Sequence, residues 1–384
     1  MDLIQKTVTG RMPELDALRG IAILWVILHN GALNGLGEAQ GVLSKILFLV
    51  GNTGWVGVQL FFVLSGFLIT GKLLDSRATA RPFRNFYMRR TLRIFPLYYA
   101  FLILFVIVIP IFGWGHWSES SNLEQILYWT YLVNWGLPFI HDLTFPHLWS
   151  LAIEEQFYLV WPLLALLVNN RWLVWICGGL ITSAITMRAY LAFGCDANWC
   201  ANAMYTFTVA RWDALALGAL LAVAMRDTIW PTHIRTYAPR AFLVVSILLA
   251  IQLAAMREFN STGPAAIINQ TSIALWCVLL IVVSVVQWNN KIDRIRKIFL
   301  NRNLRGMGRY SYAVYVFHVP AKVIWFSTFT IMTMPNSQWE QLWIASYNFI
   351  GITALATSAA FVSWYFLEQP FLNLKRYFAE SHSN

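Results

Sequence analysis

Residues 14–31, ELDALRGIAILWVILHNG, hold an arginine and a histidine inside one apolar stretch that runs from Leu15 to Leu33. Ionisable groups are expensive in a lipid interior and persist there mostly where they work, so Arg19 and His29 are the first candidates for a site. At a rise of about 1.5 Å per residue the two stand roughly 15 Å apart along the helix. Asp16, three residues before Arg19, lies one helical turn away as its counter-charge. The plainer account is a structural Arg–Asp pair and a histidine hydrogen-bonded at a helix end.

Composition sets the class of the whole chain. Of 384 residues, 58% are hydrophobic and only 12% charged, with a mean hydropathy of +0.56. A soluble domain carries about twice that charged fraction, so lipid must solvate much of this surface. Reading spans of about 20 apolar residues predicts an all-α membrane bundle of ten helices, centred near Leu24, Leu64, Leu104, Leu159, Leu180, Leu215, Ile247, Leu279, Val319 and Leu355. The stretch from Leu123 to Gly136 is too short to cross and reads as one amphipathic helix at the interface. No linker or repeat divides the chain, so a single integral domain (1–384, motif-bearing core about 12–374) is expected, with no fused extracytoplasmic module and no cleavable signal peptide.

Basic residues collect in alternate loops: Lys72, Arg77, Arg81, Arg84, Arg89, Arg90 and Arg93 after the second span, and Lys291, Arg294, Arg296, Lys297, Arg302, Arg305 and Arg309 before the ninth. Lys6 and Arg11 precede the first span. The connection 113–147 holds Glu119, Glu124 and Asp142 but no Lys or Arg. The positive-inside rule then puts both termini in the cytoplasm. The net charge of +10 is spread over those loops, which argues for lipid headgroups as its partner and against nucleic acid. Cys195 and Cys200 share an outward loop, FGCDANWC, where a disulfide is one outcome; Cys177 and Cys277 read as packing residues.

Four further constellations carry chemistry. FPHLWSLAIEEQFYLVWPLL, residues 145–164, sets Glu154 and Glu155 about two turns below the outer end of the span, which His147 and Ser150 crown, at a depth like that of His29. Carboxylates and an imidazole at one level supply an acid–base pair for a hydroxyl nucleophile. RPFRNFYMRRTLRIFPLYY, residues 81–99, gathers Arg89, Arg90 and Arg93 at a helix N-terminus, where a phosphate is welcome; plain topology accounts for the same arginines. Arg211 and Asp213, two apart in VARWDALALGALLA, point to different helix faces and call for separate partners. RYSYAVYVFHVP puts His318 in the cytoplasmic half of the ninth span, and FLEQPF puts Glu368 near the inner end of the tenth; each is a cofactor-channel or structural residue. Walker-type loops and HExxH are absent, His116, His141 and His147 lack metal-site spacing, and no metal is expected. Ser65 in FFVLSGFLIT lacks the glycine two positions earlier that a nucleophile elbow needs.

In order, LDALRGIAILWVILHN, FFVLSGFLIT, FYMRRTLRIFPLYY, HLWSLAIEEQFYLVWPLL, RWDALALGALLA, RYSYAVYVFHVP and FLEQPF resemble the acyltransferase 3 family, from about Leu15 to Phe371. The resemblance implies transfer of an acyl group, usually acetyl, from cytoplasmic acyl-CoA to a hydroxyl of an envelope glycan or lipid-linked sugar. It implies that Arg19 and His29 are the essential pair, Arg89, Arg90 and Arg93 the donor-side motif, and Glu154 the fourth-helix carboxylate. The family places one more residue between its arginine and histidine than the nine found here, so strict alignment puts Asn30 at the histidine's position. Because Asn30 cannot exchange a proton at neutral pH, His29, oriented by Glu154 or Glu155, is the expected base. A two-step transfer would require a separate extracytoplasmic transferase. The rival class is a transporter or flippase, with His29, Glu154, Arg211 and His318 as a proton path.

Overall fold

The structure, a computed structural model, describes residues 12–112, 121–140, 142–195, 197–227, 229–256, 264–285, 297, 299–329 and 335–378. Lys6, Arg11, His116, Glu119, His141, Lys291, Arg294 and Arg296 lie outside the described residues. Among the described residues the regular elements are all helical. In chain order they are α1 (Pro13–Ile27), α2 (Val42–Asn52), α3 (Val56–Asp75), α4 (Pro82–Leu102), α5 (Asn122–Trp129), α6 (Val133–Gly136), α7 (Trp149–Leu167), α8 (Asn170–Phe193), α9 (Cys200–Thr206), α10 (Thr208–Ala224), α11 (Trp230–Met256), α12 (Ala266–Val285), α13 (Arg302–Phe329), α14 (Gln338–Ser363) and α15 (Gln369–Asn373).

All ten predicted centres fall inside helical segments, Leu104 in the π-helical stretch Ile103–Val108 that follows α4. Eight helical runs among the described residues are long and apolar enough to cross a membrane. The two that differ are α11, whose apolar part is only Thr236–Gln252, and α13, which carries Arg302, Arg305, Arg309, His318 and Lys322 along its length. Ionisable residues on α13 dilute its hydropathy while its buried face still packs into the bundle.

The interfacial piece is two helices rather than one. Tyr131 adopts a left-handed φ of 55°, and the Leu132 N–H closes back onto the Leu127 carbonyl at 2.8 Å. This six-to-one bond ends α5 as a Schellman cap. The conformation is unfavourable for a tyrosine, but its ring stacks on Tyr98, with centroids 4.1 Å apart.

Tight packing in the centre depends on absent side chains. A Cβ at Gly66 of α3 would lie 2.0 Å from the Leu215 carbonyl oxygen of α10, and one at Gly218 would lie 2.1 Å from that of Val63. The α3 and α10 backbones therefore touch, as small residues allow in lipid. That contact fixes Ser65, next to Gly66, in the middle of the bundle. The first span departs from a plain α-helix at Leu28–Ala32, which forms a π turn around His29 and Asn30; such turns are frequent at functional sites. Of the outcomes open to Cys195 and Cys200, the structure has the disulfide, and Cys177 and Cys277 are buried and free.

Candidate active site

α4 begins at Pro82, whose fixed φ suits the first helical position. Arg89, Arg90 and Arg93 therefore stand two to three turns inside the helix, not at its N-terminus as the sequence suggested. Helix-end N–H groups are too far away to help them. Any anion there is held by side chains.

Those side chains border three neighbouring cavities that share lining residues. The widest, about 560 Å³, is lined by Asp16, Arg19, Lys72, Arg90, Arg93 and Glu368, among others. A second, about 300 Å³, shares Lys72, Arg90 and Arg93 and adds Arg89 and Lys375. A narrow chamber of about 90 Å³ is lined by the shared residues Arg19, Arg90, Arg93 and Tyr312 and by Ser65, Ser150, Glu154, Glu155, Tyr158 and Tyr315. The two wide cavities have the size of small-molecule sites; the chamber admits only a slender group. Arg19 sits at the junction, with its guanidinium 3.4 Å from Asp16, as the spacing suggested. The arrangement is a cationic funnel narrowing to a carboxylate chamber.

At the chamber's wall the Ser65 hydroxyl donates to Glu154 Oε1 at 2.6 Å, and the Tyr158 hydroxyl donates to Ser65 Oγ at 3.0 Å. The Arg90 guanidinium lies over the Tyr158 ring, 4.4 Å from its centroid. Glu154 is thus paired with a serine. The imidazole of His29 is oriented by a different group: its Nδ1 lies 2.9 Å from the Gly51 carbonyl oxygen. A carbonyl only accepts, so Nδ1 carries the hydrogen and Nε2 keeps a lone pair. The expected orientation of His29 by Glu154 or Glu155 is replaced by this contact, because one residue of offset turns the side chain about 100° from Arg19's face. Asn30, eleven positions from Arg19, does return to that face, and its Nδ2 donates to His318 Nε2 at 3.2 Å.

His318 is likewise displaced from its expected place. It is buried with Nδ1 donating to the Tyr315 carbonyl, and its ring lies 5.0 Å from that of His147. Sixteen residues separate it from the start of α13, a rise of about 24 Å. It therefore stands at the end of the bundle where Asn30 and His147 are, away from the arginines. Between the chamber and these imidazoles, Ser150 and Tyr315 are bonded through their hydroxyls at 2.6 Å, and the Tyr315 hydroxyl donates to the His147 carbonyl.

Arg211 and Asp213 do take separate partners. Asp213 accepts from Arg188 at 2.9 Å and from Thr271 at 2.5 Å, on α8 and α12. Arg211 is enclosed by Phe62, Trp149 and Tyr205, with the Tyr205 centroid 4.9 Å from the guanidinium. Neither residue lines the three cavities. Sequence reading set Ser65 aside for want of an elbow glycine, and missed Tyr158 and Tyr315, neutral hydroxyls that hydropathy does not flag, and Arg188. Among the described residues no cluster of His, Cys, Asp and Glu is arranged to hold a metal.

Fold and site define a multi-pass membrane protein with a cationic funnel ending in acid–base groups. The acyltransferase domain family model matches residues 12–367, and the chain belongs to this acyltransferase 3 family. It is 28% identical over 381 residues to the peptidoglycan O-acetyltransferase OatA of Listeria monocytogenes, covering 94% of this chain and 55% of that protein. A proposed peptidoglycan O-acetyltransferase of Bacillus subtilis, YrhL, is 28% identical over 342 residues, covering 82% and 49% respectively. The chain thus spans about half the length of these relatives. No solved structure matches it.

Proposed function

We propose that the chain moves an acyl group, acetyl by analogy with its relatives, from acyl-CoA to a hydroxyl of an envelope glycan in a bacterial cytoplasmic membrane. The observation that carries this reading is that Arg19, Arg90, Arg93 and Tyr312 line both the wide cavity and the Glu154 chamber, which sets the two side by side. Coenzyme A is long, anionic at one end and slender at the other. Guanidinium forks of Arg89, Arg90 and Arg93 suit its phosphates, with Lys72 and Lys375 adding charge at the wide end. The pantetheine arm suits the narrowing passage past Arg19, which leaves the thioester beside Glu154 and Glu155. There the carboxylates supply the proton acceptor that an attacking hydroxyl needs, and Arg19 and Arg90 face the oxyanion that develops on the carbonyl.

His29 takes a different part from the one its sequence position implied. Its ring is held by the Gly51 carbonyl, while Glu154 is engaged by Ser65. We assign its free Nε2 to the acceptor side, as a hydrogen-bond acceptor for an incoming sugar hydroxyl. The test is incubation of the purified chain with labelled acetyl-CoA and a glycan acceptor in proteoliposomes. Label esterified to the glycan supports the reading; solute flux without covalent change would sink it in favour of a transporter.

A further inference from the structure

We propose that Ser65 carries the acyl group as an ester between donor and acceptor; this rests on the donor-cavity reading above. Three serines line the chamber, and their hydroxyls are committed differently. Ser150 is bonded to the Tyr315 hydroxyl, and Ser311 donates to the Gly308 carbonyl one turn back on its own helix. Only Ser65 points its proton at a carboxylate, 2.6 Å from Glu154 Oε1. That is the hydrogen-bonded nucleophile–base arrangement of covalent acyl transfer, with a glutamate as the base.

The surroundings suit the step. Ser65 is half-buried and faces the chamber. Its backbone is held by the α3–α10 contact at Gly66, so its position is set before substrate arrives. The Tyr158 hydroxyl fixes the orientation of Ser65 Oγ from the other side, and Arg90 over the Tyr158 ring keeps positive charge close. No histidine lines this chamber, so an acyl-imidazole there has no candidate among its walls.

Chemically, Ser65 Oγ attacks the thioester carbonyl carbon. The carbon–sulfur bond breaks as the carbon–oxygen bond forms, and the serine proton passes to the Glu154 carboxylate and on to the departing thiolate, releasing free coenzyme A. In the second half the glycan hydroxyl attacks the ester carbonyl. Its proton goes to Glu154 and then to the Ser65 oxygen as that oxygen leaves. No oxidant, reductant or further co-reactant is needed.

The experiment uses the full chain in lipid nanodiscs with radiolabelled acetyl-CoA and no glycan, quenched in acid and mapped by peptide mass spectrometry. The expected result is an acetyl ester on the Ser65 peptide that a later addition of glycan discharges. Ser65→Ala should show no ester and no transfer. Ser65→Cys should take the label as a thioester labile to neutral hydroxylamine, which separates loss of the nucleophile from loss of folding. Glu154→Gln should slow ester formation; an unchanged rate would overturn the carboxylate's role as base. Transfer to glycan with no ester at Ser65, or wild-type transfer by Ser65→Ala, would overturn the carrier and leave the donor reading standing. Failure to bind or cleave acetyl-CoA would instead overturn the donor reading, and this inference with it.

Discussion

Arginine meets carboxylate twice inside this bundle, at Arg188–Asp213 and around Arg19, Arg90 and Glu154, and the two places are built differently. Arg188 and Asp213 are fully buried. Arg188 donates to the Ala210 carbonyl, the Thr271 hydroxyl and the Asp213 carboxylate, so protein atoms surround and satisfy the pair. Around Arg19 and Arg90 the charges instead face open cavities. An intramembrane charge is costly in either setting. What marks a site is the space left in front of the charge.

That contrast can be broken by mutation. Asp213→Ala leaves a buried guanidinium without its counter-charge, and the expected loss is about 3–5 kcal/mol of stability, read as a lower unfolding temperature in detergent whether or not acetyl-CoA is present. A loss confined to catalysis would refute the structural role. Arg90→Ala or Arg93→Ala should behave in the opposite way. Each removes a charge-assisted contact worth about 1.5–3 kcal/mol, so acetyl-CoA affinity should fall roughly ten- to a hundredfold with little change in unfolding temperature. Cys195→Ser with Cys200→Ser opens only a five-residue separation; a stability loss of about 2 kcal/mol or less is expected, with donor affinity unchanged. Smallest of all is His29→Ala. The Michaelis constant for glycan should rise about tenfold for one lost hydrogen bond, while acetyl-CoA cleavage in the absence of glycan proceeds as in the wild type.

Much of the site was legible because charge contrasts with an apolar background. Arg19, Glu154 and Glu155 stand out in their spans for that reason, and the structure brings all three to one chamber. Helical arithmetic also separated Arg211 from Asp213. It misplaced His318 because depth was judged from a span centre, whereas α13 runs 28 residues from Arg302 and carries the histidine past the arginines. His29 was misjudged for a related reason: identity of side chain was favoured over helical phase, and phase brings Asn30, not His29, to the α13 face. Ser65 was invisible in another sense. Tested against the strand-to-helix elbow it fails, yet on a membrane helix its hydroxyl is made significant by a residue 89 positions away. Arg188, near the end of a span, carried a signal in its mere presence, since a charge in an apolar span is costly.

The central claim is that the arginine funnel receives acyl-CoA and delivers its acyl group to the Glu154 chamber. Equilibrium binding of labelled acetyl-CoA to the purified chain, compared with the Arg90→Ala/Arg93→Ala variant, tests it most directly. The account predicts saturable binding that free coenzyme A competes away and that the double variant loses without unfolding. Absence of binding by the wild type, or equal binding by a folded double variant, would contradict it.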